Sequence, residues 1–156
     1  MLTLRNALFF VLVPGMVGVA GPWWVARGTG TPQARAPWLA VAAVVAAAGL
    51  ALLLSCVAWF QRHGGTPAPI DPPRRLVVRG PYRWTRNPMY VALALLLVAQ
   101  ILAHPGRAVL LYALAALAGV VAFVHLYEEP TLRRRFGADY EAYTASVPRW
   151  FPRIRL

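Results

Sequence analysis

Two short polar stretches carry most of the chemically capable side chains in this chain. The first, Arg79-Gly80-Pro81-Tyr82-Arg83-Trp84-Thr85-Arg86-Asn87-Pro88-Met89-Tyr90, crowds cations, aromatics, glycine and proline beside an apolar run. The second, Glu128-Glu129-Pro130, follows the last apolar run. Lipid asks for no such mixture. Complementary charge at the ends of hydrophobic segments points to a site for a charged small molecule at a membrane surface.

The residue types suit a ligand with a carboxylate, an ammonium, a sulfonium and an adenine. Arginine and backbone N–H groups hold a carboxylate, and a glutamate holds an ammonium. Aromatic faces attract a sulfonium, and an apolar slot with backbone hydrogen bonds takes an adenine. Tyr82, Trp84, Tyr90, Arg83, Arg86, Asn87 and Glu128 include all of these types. Headgroup contact is the competing use for each arginine, and an interfacial belt is the competing use for Tyr82 and Tyr90.

The elements that must position these residues are apolar. Hydrophobic residues make up 59% of the 156, above the usual 45–50% of soluble domains. The length fits a single domain over residues 1–156. Four segments organise it: Ala7–Val25, Trp38–Phe60, Met89–Ala103 and Ala108–Tyr127. Residues 1–60 hold the first two, and 61–156 hold a polar loop, a helical hairpin closed by His104-Pro105-Gly106-Arg107, and the tail. The second and fourth reach the roughly 20 residues a spanning helix needs, and the third is short. The first carries Pro14, Gly15, Gly18, Gly21 and Pro22. It reads as a retained helix ending in the Trp23-Trp24 belt, the alternative being a signal peptide cleaved after Ala20.

All sixteen basic residues are Arg, against five acids, for a net charge of +11. They lie between apolar segments and form no continuous stripe, which argues against nucleic acid and for anionic lipid headgroups. Six Arg fall in Gln61–Asn87 and six after Tyr127. The positive-inside rule then puts both termini and both polar stretches on the cytoplasmic face of a bacterial inner membrane. The single Cys56 excludes a disulfide framework or a thiolate metal site.

Past Pro130, Leu132, Phe136, Tyr140, Tyr143 and Val147 recur at helical spacing and predict one amphipathic interfacial helix. Pro130 suits its first turn, and Trp150-Phe151-Pro152 with Arg153 and Arg155 reads as a further anchor. The expected fold is all-α and integral to the membrane, with about four transmembrane helices plus this C-terminal helix.

The stretch Arg79–Tyr90 resembles the signature of the isoprenylcysteine carboxyl methyltransferase family and its bacterial, phospholipid methyltransferase-like relatives. Glu128-Glu129-Pro130, Leu132, Phe136-Gly137, Tyr140, Tyr143 and Val147-Pro148-Arg149 match that family's C-terminal pattern in order. The resemblance covers about Arg74 to Arg149 and implies a multi-pass membrane enzyme that uses S-adenosyl-L-methionine. Carried over by position, it implies that Arg74, Arg75, Leu76, Val77, Tyr82, Asn87, Pro88, Met89, Tyr90 and Glu128 bind the cofactor. Glu128 would pair with the methionine ammonium, Tyr82 and Tyr90 would hold the adenosine and sulfonium end, and Pro88 would turn backbone groups toward the ligand.

Two positions depart from the eukaryotic pattern. Asn87 stands where those enzymes have His, and Asn cannot titrate. Val124 stands where they have a substrate-binding Arg, which removes the cation a prenylcysteine carboxylate needs. The reaction implied is in-line attack on a sulfonium methyl group, helped chiefly by alignment in a dry site. A thiol or amine acceptor must first lose a proton, and His125 and Glu129 are the candidates near Glu128. His63 and His104 are loop residues with no partner in view. The acceptor is a small or lipophilic thiol, amine or carboxylate. Alternatives are a phospholipid amine N-methyltransferase, a membrane NADPH-dependent reductase, and a non-catalytic protein of the same fold. Membrane lipid is the expected partner, and the oligomeric state stays open.

Overall fold

The computed structural model describes residues 11–62 and 76–150, and their regular elements are all helical. Val11–Ala20 is wound as a π-helix and runs into α1 (Gly21–Gly28). Then come α2 (Ala36–Arg62), a 3-10 turn (Gly80–Arg83) and α3 (Pro88–Ala103). Next, α4 (Arg107–Phe123) passes through a π-turn (Val124–Glu128) into α5 (Glu129–Phe136), and α6 is Ala138–Ser146. Arg74 and Arg75 lie outside the described residues, as do the Pro/Gly-rich part of the long loop and the anchor from Phe151 onward.

Among the described residues, two helices are long and apolar enough to cross a membrane: Ala36–Phe60 and the continuous run Arg107–Phe136. At 1.5 Å per residue, the 27 residues of α2 extend about 40 Å. The 16 of α3 extend only about 24 Å, less than a hydrocarbon core of about 30 Å. The described part of the first apolar segment, from Val11 on, departs from a regular spanning helix. Pro14 within it lacks an N–H, and Gly15 and Gly18 weaken α-winding further. Among the described residues, two of the four expected spans meet the length criterion.

α3 is the central element, packed between α2 and α4 with the π-wound segment alongside. Leu93 and Leu97 of α3 meet Ala113 of α4 in a core joined by Val17, Tyr112 and Val120. The Tyr112 hydroxyl donates to the Val17 carbonyl at 3.1 Å. The loop after α1 docks on the hairpin through Ala34 N–H to the Ala103 carbonyl at 2.8 Å. Val44 and Leu54 on α2, and Leu111 and Leu114 on α4, face outward. An apolar exterior of this kind suits lipid contact.

Gly80 opens the 3-10 turn at φ +61°, where a Cβ would overlap the indole of Trp59. Glycine alone meets both demands, so the end of α2 can close on the first polar motif. Below it, Val77 and Tyr82 pack with Cys56 and Phe60 of α2, and Met89 joins them from α3.

The C-terminal amphipathic region is two helices, not the single one its periodicity predicts. Gly137 at φ +50° breaks it, because that backbone conformation stops α-winding. The apolar stripe survives the break. Tyr140, Tyr143 and Val147 are buried together, with Leu132, Phe136 and Leu76 against them. Pro130 starts no separate helix, since Glu128 and Glu129 both keep α-helical torsions. The glutamates thus sit inside a continuous helical run and not at its C-terminal end.

Candidate functional site

The site forms where the 3-10 turn, the first turn of α3, the π-turn and the segment after α6 converge. Pro88 occupies the first turn of α3, where its missing N–H costs nothing. That starts the helix in time to bring Tyr90 onto the face opposite Glu128. The Tyr90 hydroxyl donates to Glu128 Oε2 at 2.7 Å. Among the described residues, no cation pairs with Glu128. Tyr90 and Glu128 are both half-buried.

Glu129 has the opposite surroundings. It is buried, and Arg149 grips it with two bonds, Nε to Oε1 at 2.9 Å and Nη2 to Oε2 at 2.8 Å. Arg86 adds a third contact, Nη1 to Oε1 at 3.1 Å. A bidentate Arg–carboxylate pair is the strong geometry for such an interaction, and a second guanidinium leaves Glu129 little freedom to accept a proton elsewhere.

The first motif is also fastened to the C-terminal segment through backbone. Arg86 N–H donates to the Pro148 carbonyl at 3.0 Å. The Arg149 carbonyl accepts from Thr85 Oγ1 at 2.9 Å and from Asn87 Nδ2 at 3.1 Å. The Tyr143 hydroxyl reaches the Tyr82 carbonyl at 2.7 Å. These contacts join residues more than sixty positions apart and make one platform of the two polar stretches.

Tyr82 is buried, with its ring edge-on to Phe60 at 5.4 Å between centroids. Burial pushes its phenol well above the ordinary range, and the nearby Cys56 and Glu128 push it further. Tyr82 is therefore a neutral hydroxyl at any physiological pH. Burial also raises the phenol of Tyr143.

The structure brings Tyr90 and Glu128 into contact, with Met89 and Pro88 on the same first turn of α3. It sets Tyr82 and Val77 in the neighbouring core, while Leu76 packs against the C-terminal helices. The Asn87 amide, expected to face a ligand, is engaged by the Arg149 carbonyl. His125 is exposed, with Nδ1 at 2.8 Å from the Val121 carbonyl and Nε2 against Arg149 Nη1. Val124 is fully buried.

Sequence reasoning missed Thr85 and Arg149 as organisers of the site. A signal did exist: Val147-Pro148-Arg149 recurs as a unit in the C-terminal pattern, and a Pro-flanked segment offers free carbonyls.

The described residues form a helical bundle with an apolar exterior and a polar platform at one end, where a carboxylate with no cation among them faces an aromatic hydroxyl. A family model, phospholipid methyltransferase, matches residues 37–139. The chain belongs to the phospholipid methyltransferase family, which makes methyl transfer its reaction class. Neither the comparison with curated proteins nor that with solved structures gives a significant match.

Proposed function

We propose that this protein is an S-adenosyl-L-methionine-dependent methyltransferase acting on the amine of a phospholipid headgroup at the cytoplasmic membrane face. The observation that carries the reading is Glu128. It is a half-buried carboxylate with an aromatic hydroxyl as its hydrogen-bond partner and, among the described residues, no cation opposite it. An interior anion without a counter-charge is costly, and the ammonium of the methionine moiety meets that need. The donor set fits the cofactor. Glu128 binds the ammonium, Tyr90 orients Glu128, and Met89 with Tyr82 and Val77 supplies an apolar wall for the adenosine.

S-adenosylmethionine supplies an electrophilic methyl group on a sulfonium. The chain's part is alignment and exclusion of water. Val124 supports an amine over a carboxylate acceptor, since the wall one turn before Glu128 is apolar and closed. Glu129 and His125 are each held by other groups, so neither supports a role as free base. In this reading the apolar segments, including the short α3 and the π-wound first segment, make up a four-segment membrane bundle. The arginine distribution supports a cytoplasmic position for both polar stretches and both termini.

The test is binding of labelled S-adenosylmethionine to detergent-solubilised protein, then methyl transfer to phosphatidylethanolamine in mixed micelles. Glu128→Ala is expected to abolish binding. Retained binding in that variant would remove Glu128 from the site. Tighter binding of NADPH than of S-adenosylmethionine would replace the methyltransferase reading with a reductase.

A further inference from the structure

The π-turn Val124–Glu128 carries a side chain, His125, that bonds back to the end of α4. At the junction with α4, the Val124 N–H is shared between the Val120 and Val121 carbonyls. The Glu129 N–H then bonds five residues back, to the Val124 carbonyl. His125 Nδ1 lies 2.8 Å from the Val121 carbonyl. A carbonyl only accepts, so Nδ1 carries the proton, and Nε2 is left with a lone pair. Arginine only donates, and Arg149 Nη1 faces that lone pair. One neutral tautomer satisfies both contacts.

We infer that His125 is a positioning residue for Glu128, a strut that keeps the π-turn wound by bonding the Val121 carbonyl and bracing against Arg149. The inference rests on the reading of Glu128 as the ammonium site. A π-turn holds one residue more than an α-turn. Losing it would rotate the following helix by about 100°, one residue's worth. Glu128 would leave Tyr90, and Glu129 would leave Arg86 and Arg149. The strut thus keeps two adjacent carboxylates aimed at two different partners. His125 is exposed beside Leu126, which is also exposed.

Three substitutions separate the contacts. His125→Asn keeps an amide donor near the Nδ1 position, His125→Gln keeps an acceptor near Nε2, and His125→Leu keeps neither. Two readouts are taken on the full chain in detergent: hydrogen exchange of amides 124–129, and KM for S-adenosylmethionine against kcat. His125→Leu is expected to accelerate exchange there and raise KM roughly tenfold, the scale of one lost hydrogen bond, with kcat nearly unchanged. His125→Asn is expected to restore both, and His125→Gln to follow Leu.

Unchanged exchange in the Leu variant overturns the strut. A collapse of kcat at constant KM in both Leu and Asn variants also overturns it, because the imidazole would then be moving a proton. If the wild-type protein binds no S-adenosylmethionine, the functional reading falls, and the exchange arm alone decides whether the strut exists.

Discussion

The Tyr90 hydroxyl donates to Glu128 Oε2 across 38 positions of chain, joining the first turn of α3 to the π-turn that follows α4. The bond takes one of the two carboxylate oxygens. Glu129, one residue on, has both oxygens held by guanidinium groups. Two adjacent glutamates therefore have different surroundings, and in the proposed function one meets the ligand while the other holds the platform.

Removing the orienting hydroxyl tests the first role. Tyr90→Phe is expected to weaken S-adenosylmethionine binding about five- to tenfold, the range for a hydrogen bond to a charged group that is partly solvated. The thermal midpoint should hardly move. Isothermal titration together with a melt in detergent checks both, and an unchanged Kd would show that Glu128 needs no orientation.

The second role predicts a stability effect. Glu129→Leu leaves Arg86 and Arg149 without their shared carboxylate, and breaking one side of a buried pair costs about 3–5 kcal/mol. Glu128→Ala, lacking a cation to strand, is expected to cost under about 1 kcal/mol. Chemical unfolding of both variants should rank them in that order. The reverse order would mean that the two glutamates had been assigned the wrong way round.

Thr85 and Asn87 share one acceptor, the Arg149 carbonyl. Each of Thr85→Val and Asn87→Ala is expected to destabilise by about 1 kcal/mol. Contacts through a shared partner are not additive, so a double-mutant cycle should return a coupling of about 0.5 kcal/mol or more. A cycle that closes with no coupling would contradict the shared carbonyl.

Burial raises the phenols of Tyr82 and Tyr143 above their ordinary range. The sign follows from linkage: the folded state keeps these protons at pH values where the unfolded chain releases them. Their contribution is present in full below the unfolded value near 10 and is lost as pH rises above it. Stability measured from pH 9 upward should therefore fall, and Tyr82→Phe should flatten the slope. A flat wild-type profile in that range would rule the linkage out.

Residue type and spacing alone carried much of this protein. The apolar runs predicted α2, α3 and α4 within a few residues, because helix ends fall where Pro88 and the 104–107 turn interrupt the pattern. The stripe from Leu132 to Val147 named the residues that pack together, since periodicity determines a face whether or not the helix is broken. Gly137 broke it, and periodicity cannot see a backbone torsion. What only tertiary structure decided was the partner of each polar group. Asn87 has the same amide whether it meets a ligand or the Arg149 carbonyl. Glu128 and Glu129 are the same residue type one position apart, and the π-turn and the arginines brought in from a distance make one a candidate ligand for an ammonium and the other an anchor. Hydrogen bonds between residues 38 to 64 positions apart depend on where the chain returns in space, and local sequence holds no record of that.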